Sequence, residues 1–190
     1  MKKPGEIWLV VGGIIIFLLS YKYDNQVNLF FNNIRFPLLD FVFGVITNFG
    51  IVILVMLAIP LPVIYRRKIQ RKSTGLLLLT FMISVVAAFI IKFIILRQRP
   101  LGVLYYPFFS IVDYSFPSMH AMVVFSLLPI LAEYFPKQKN FWIFFAFAVA
   151  FTRIYFGFHF LSDVVFGAIF GYFIGIYLLR LHQKKRLWTK

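Results

Sequence analysis

Apolar residues fill this chain in long runs, and polar residues are confined to short interruptions between them. Two runs carry no charged side chain at all: 41–65, with 25 residues, and 73–91, with 19. About 20 residues of helix cross the hydrocarbon core of a bilayer, so each run predicts a spanning helix. Further apolar runs at 7–21, 118–135, 140–156 and 162–181 bring the predicted helices to six. Lys2 and Lys3 resemble the basic start of a secretion signal. Leu19-Ser20-Tyr21-Lys22 offers no small-residue cleavage site, however, so the first segment is read as a retained span. No repeat, low-complexity tract or linker breaks the pattern, which predicts one domain over residues 1–190.

Composition removes the soluble alternatives. The chain is 62% hydrophobic and only 14% charged, with a mean hydropathy of +0.88, far from the roughly 25% charge of soluble domains. A water-soluble globule of this length has no core able to hide 26 Phe and 10 Tyr. The absence of Cys excludes thiol chemistry, iron–sulfur clusters and Cys-ligated zinc. The net charge of +14 does not signal nucleic acid, because the basic residues sit between apolar runs. Fourteen of the 20 Lys and Arg fall on one side: Lys2, Lys3, the loop 66–72, Lys137, Lys139 and the tail from Arg180 onward. Basic loops stay in the cytoplasm, which predicts two cytoplasmic termini. The expected fold is therefore an all-α, polytopic integral membrane bundle of six transmembrane helices. The basic tail, 184–186, reads as an anchor to anionic lipid.

Four of the remaining basic residues, Lys92, Arg97, Arg99 and Arg153, fall at the outer ends of the third and fifth helices. His120, His159 and Asp163 lie at the same level. Ionisable residues at membrane depth are costly and line cavities or sites.

Three clusters carry the candidate chemistry. In the first, Lys92 and Arg99 are seven apart, about 20° from the same azimuth on a helix, with Pro100 suited to its end. Two cations without a nearby carboxylate want an anion; the bland reading is snorkelling to lipid headgroups. In the second, Pro117-Ser118-Met119-His120 opens the fourth helix. Ser118 is a candidate cap, and unpaired N–H groups behind it suit an anion; the alternative is a capped helix with an interfacial histidine. In the third, Arg153 precedes Gly157, and His159 and Asp163 are four apart, as neighbours on one helix face are. A carboxylate holding one imidazole N–H frees the other nitrogen as nucleophile or base. The alternative is a His–Asp pair that only caps the sixth helix. At ~5% usage per residue type, each three-residue pattern arises by chance about once in 10⁴ positions. Three in order at one membrane face share one logic, cations for phosphate oxygens and two histidines for proton and phosphoryl transfer.

The sequence K-x₆-R-P, then P-S-x-H, then R-x₅-H-x₃-D over residues 92–163 resembles the signature of the type 2 phosphatidic acid phosphatase superfamily, in its membrane lipid phosphatase branch. Two departures stand out. Met119 replaces the usual glycine of P-S-G-H, and Thr152 replaces the serine before Arg153. The resemblance implies that His159 attacks phosphorus and forms a phosphohistidine, that Asp163 orients it, and that His120 protonates the leaving oxygen. It implies that Lys92, Arg99, Ser118, the Met119 backbone and Arg153 bind the phosphate. Neither a metal nor another cofactor is expected, since Asp163 is the sole acidic residue of the three motifs.

The activity implied is hydrolysis of a terminal phosphate from a membrane lipid phosphate or diphosphate at the extracytoplasmic leaflet. In a bacterial cytoplasmic membrane, undecaprenyl diphosphate is the first candidate by family analogy; phosphatidylglycerophosphate, phosphatidate and lipid A phosphate stay open. A phosphotransferase keeps the same intermediate, whereas a non-catalytic lipid-phosphate binder or transporter needs the anion cluster without the His159–Asp163 pair. A haloperoxidase fits a six-span chain poorly. The expected partners are the lipid phosphate and membrane lipids, with no nucleic acid, and the oligomeric state is left open. Headgroup choice is assigned to the loop 101–116. Gly167, Gly171 and Gly175 predict close helix packing inside the bundle. Thr47 and Asn48 are expected to face protein, while Asp40, Asp113 and Glu133 receive no role.

Overall fold

The computed structural model describes the backbone of residues 4–66, 71–102 and 112–188, with side chains over 11–66, 73–102 and 112–184. Lys2, Lys3, Arg67, Lys68, most of the 101–116 loop and the side chains of the basic tail beyond Lys184 thus lie outside the described residues. The described elements are helices: α1 (Pro4–Lys22), α2 (Asp24–Asn33), α3 (Pro37–Thr47), α4 (Phe49–Ile53), α5 (Pro60–Arg66), α6 (Arg71–Ile95), α7 (Met119–Tyr134), α8 (Lys139–Tyr155) and α9 (Leu161–Trp188).

The charge-free run 41–65 is not one helix, contrary to the expectation from its hydropathy. Asn48 leaves the helical conformation and caps a new helix, its Oδ1 accepting from the N–H groups of Gly50 at 2.9 Å and Ile51 at 3.3 Å. From there α4, a π-helical turn (Leu54–Ala58) and α5 continue as one rod. The widened turn stands just ahead of Pro60, which has no N–H and whose ring crowds the preceding turn. Hydropathy reports none of this, because Asn48 is one polar residue in 25.

Phe49–Arg66, Ser73–Ile95 and Leu161–Lys184 are long and apolar enough to cross a membrane, while Val11–Lys22, Pro37–Thr47 and Met119–Tyr134 are shorter apolar helices. Large apolar side chains cover the outside of the bundle. Phe41, Phe144 and Ile94 are 73, 72 and 70% exposed, a surface that suits lipid and not water. Sequence reading assigned no element between the first two runs, yet α2 lies there and buries Asp24 and Asn28.

Helix α7 is the axis of the bundle, with Ala121–Leu128 and Ile130–Leu131 buried. Its most extensive neighbour is α9. A Cβ added at Gly167, Gly171 or Gly175 would fall 2.7, 2.2 or 2.0 Å from the carbonyl oxygens of Ser118, Met122 and Ser126. The glycine ridge therefore faces α7 of the same chain, and two backbones meet where any side chain would separate them. This contact brings the start of α7 beside the start of α9.

Candidate active site

Helix α6 ends at Ile95, and Leu96 takes a left-handed conformation (φ 54°) that turns the chain. Lys92 and Arg99 therefore do not share one continuous helix face, as their spacing predicted. They converge all the same, through Asp113. Its carboxylate lies 2.9 Å from Lys92 Nζ and 2.6 Å from Arg99 Nη2. Arg99 Nε donates to the Asp113 carbonyl at 2.8 Å, and Lys92 also donates to the Tyr114 carbonyl. The absence of a carboxylate near these cations was a property of sequence distance alone, because Asp113 returns across the loop.

Ser118 occupies the cap position of α7 but makes no side-chain cap bond, and its buried Oγ has no partner. Met119 opens the helix, so its backbone is helical despite replacing glycine, and its side chain packs against the core. His120 stands edge-on to Phe49 with ring centroids 4.8 Å apart. The Thr47 carbonyl hydrogen-bonds its ring, and its buried Nε2 has no partner. Arg153, in the last turn of α8, donates from Nη1 to Thr47 Oγ1 at 2.6 Å and lies over the Phe158 ring.

His159 sits in the loop between α8 and α9, not on the α9 face. Gly157 makes that turn with φ 65°, a conformation in which an added Cβ would also press on Leu101 at 3.0 Å. His159 is 1% exposed. Its Nδ1 lies 2.7 Å from the Ser115 carbonyl oxygen and 3.7 Å from Asp163 Oδ2. A carbonyl only accepts, so Nδ1 carries the proton and Nε2 keeps its lone pair. That lone pair faces Arg99 Nη1 at 3.2 Å. Burial first, and then the cations of Arg99, Arg153 and Lys92, push the His159 imidazole well below its usual value near 6.5. The resting ring is neutral.

Asp163 does not hold His159 directly. Its carboxylate accepts from Ser115 Oγ, from Phe160 N at 2.9 Å and from Arg97 Nη1 at 2.7 Å. It thus fixes the residue whose carbonyl fixes the imidazole. Sequence reading missed Ser115, Thr47, Asp113 and Asp24, which lie outside the motifs, and gave Arg97 only a position at the outer face. Among the described residues, no group of three or more His, Asp or Glu side chains is arranged to hold a metal ion.

Two histidines, three cations and a helix start without a side-chain cap thus stand together at one end of an apolar helical bundle. Residues 73–187 match the model of the PAP2 superfamily, and the chain belongs to that superfamily. It is 33% identical over 86 residues to the bacitracin transport permease protein BcrC of Bacillus licheniformis, an alignment covering 42% of each chain. Its fold is that of the transmembrane PAP2 type phosphatidylglycerolphosphate phosphatase from Bacillus subtilis. The TM-score is 0.72 at 23% identity, covering 94% of this chain and 96% of that one. Aquifex aeolicus LpxE is also similar, with a TM-score of 0.65 and 27% identity over 83% of this chain and 94% of that one.

Proposed function

We propose that the chain is a lipid phosphatase that removes a terminal phosphate from a membrane lipid phosphate or diphosphate through a phosphohistidine on His159. One observation carries this reading: the Ser115 carbonyl holds His159 Nδ1–H, which leaves the Nε2 lone pair among Lys92, Arg99 and Arg153. Nε2 attacks phosphorus as the bond to the lipid oxygen breaks, and His120 donates its proton to that oxygen. Water then attacks the phosphohistidine, giving its proton back to His120, and phosphate leaves. Lys92, Arg99, Arg153, Ser118 Oγ and the Met119 N–H stabilise the charge on the phosphate oxygens, the main requirement of phosphoryl transfer.

The same reading takes residues 1–190 as one domain with six spans, both termini in the cytoplasm and the site at the extracytoplasmic leaflet of a bacterial membrane. Undecaprenyl diphosphate is the first substrate candidate. Phosphatidylglycerophosphate is the second, favoured by the activity named for the Bacillus subtilis structure. The test is phosphate release by purified protein in detergent with EDTA, from a panel of lipid mono- and diphosphates. His159→Ala is assayed beside it. EDTA-resistant release that disappears in the variant supports the proposal, and the panel ranks the substrates. No release from any lipid by folded protein would turn the reading to phosphotransfer or to binding without catalysis.

A further inference from the structure

Helix α2 buries a carboxylate for which the proposed reaction has no use. Asp24 is 4% exposed at the start of α2, which also buries Asn28. Its Oδ1 accepts from the Ser162 N–H at 2.8 Å, and its Oδ2 accepts from Ser162 Oγ at 2.6 Å and from Arg97 Nη2 at 2.7 Å. Arg97 turns its other nitrogen, Nη1, to Ser162 Oγ at 2.8 Å and to Asp163 at 2.7 Å. Its own backbone carbonyl accepts the Ser115 N–H at 2.7 Å. Ser115 is thus held at both ends, its N–H by Arg97 and its hydroxyl by Asp163, and its carbonyl carries His159.

We infer that Asp24 and Arg97 are positioning residues for the His159 nucleophile, forming an Asp24–Arg97–Asp163 charge relay that leaves one net negative charge beside the imidazole. The inference rests on the phosphohistidine reading above. Attack on phosphorus turns the His159 ring cationic, with the proton still on Nδ1. Asp163 alone beside Arg97 would be neutralised, and the ring would meet no net opposing charge. Asp24 balances Arg97 and restores it. Among the described residues, the other charged or titratable groups facing His159 are Lys92 and Arg99 before α7, Asp113 in the returning loop, His120 on α7 and Arg153 on α8. Neither relay substitution touches these groups. A scaffold role would ask only that Asp24 cap α9; a charge role asks for its sign.

The experiment compares kcat, KM and the acid limb of kcat/KM for the native protein, Asp24→Asn, Asp24→Glu and Arg97→Gln in the same lipid phosphate and detergent. Asn keeps the acceptor for Ser162 N–H and removes the charge. Removing a negative charge near an imidazole lowers its pKa, and removing a positive one raises it. Asp24→Asn is therefore expected to move the acid limb down by about one pH unit and to lower kcat about tenfold, with KM little changed. Arg97→Gln is expected to move the limb up, and Asp24→Glu to restore the native limb. Substrate ionisation is common to all four and cancels. Limbs that stay in place, or that move the same way in both charge variants, would overturn the relay, as would Asp24→Glu behaving like Asp24→Asn. A native protein that releases no phosphate overturns the functional reading instead, so the two failures are distinct.

Discussion

Asp113 grips Arg99 twice, through its carboxylate at 2.6 Å from Nη2 and through its carbonyl oxygen at 2.8 Å from Nε. The same carboxylate holds Lys92. An internal anion therefore rests on two of the cations that the family motif assigns to substrate phosphate. In the proposed reaction, substrate phosphate competes with it for the same N–H groups. Asp113→Asn is expected to lower KM for the lipid phosphate about fivefold, and to tighten inhibition by orthovanadate by a similar factor, as expected for loss of one partly exposed competing charge. Steady-state kinetics with and without orthovanadate check this; a raised KM would mean that the carboxylate orders the cations for substrate.

His120 presents a buried Nε2 with no partner, next to the start of α7. A general acid matters most when the leaving oxygen is basic. His120→Asn is therefore expected to slow release from an alkyl lipid phosphate by about 10²–10³-fold. Release from a p-nitrophenyl ester, whose leaving group needs no proton, is expected to slow far less. Equal losses on both substrates would remove His120 from that role.

The depressed basicity of His159 sets the pH response. In the proposed reaction its neutral ring is the nucleophile, and burial among cations pushes its basicity well below the usual value near 6.5. Activity is expected to persist as pH falls through 6.5 and to be lost only further down. kcat/KM measured from about pH 4 to pH 9 gives a profile whose acid limb lies below the ordinary histidine range. Stability has its own sign. The unfolded chain takes up a proton near 6.5 that the folded chain refuses, so unfolding becomes easier as pH drops below that value. Melting in detergent across the same range reads this out.

The α7–α9 contact admits no side chain at its closest points. Gly171→Ala would place Cβ 2.2 Å from the Met122 carbonyl oxygen, whereas nothing lies within 4 Å of a Cβ at Gly12. Overpacking of this kind costs about 1–3 kcal/mol, so Gly171→Ala is expected to melt earlier in detergent. It is also expected to lose activity, because α7 and α9 together carry Ser118, His120 and Asp163. Gly12→Ala serves as the control and is expected to melt as the native protein does.

The sequence by itself determined the class of fold and the residues of the motifs. Charge-free runs of bilayer length in a chain 62% hydrophobic leave helices in lipid as the way to satisfy every backbone group. The ordered Lys92, Arg99, Ser118, His120, Arg153, His159 and Asp163 carried the family, which the match over 73–187 bears out. Gly167, Gly171 and Gly175 likewise announced a close helix contact. Tertiary structure decided who holds whom. Asp163 is four residues from His159, yet the turn at Gly157 and the late start of α9 set the ring 3.7 Å from the carboxylate and 2.7 Å from the Ser115 carbonyl. Asp113 and Asp24 are 21 and 68 residues from Lys92 in the chain and carry no motif. Local spacing speaks only for neighbours on one helix; a carboxylate that arrives from another helix or across a loop becomes visible when the bundle closes around it.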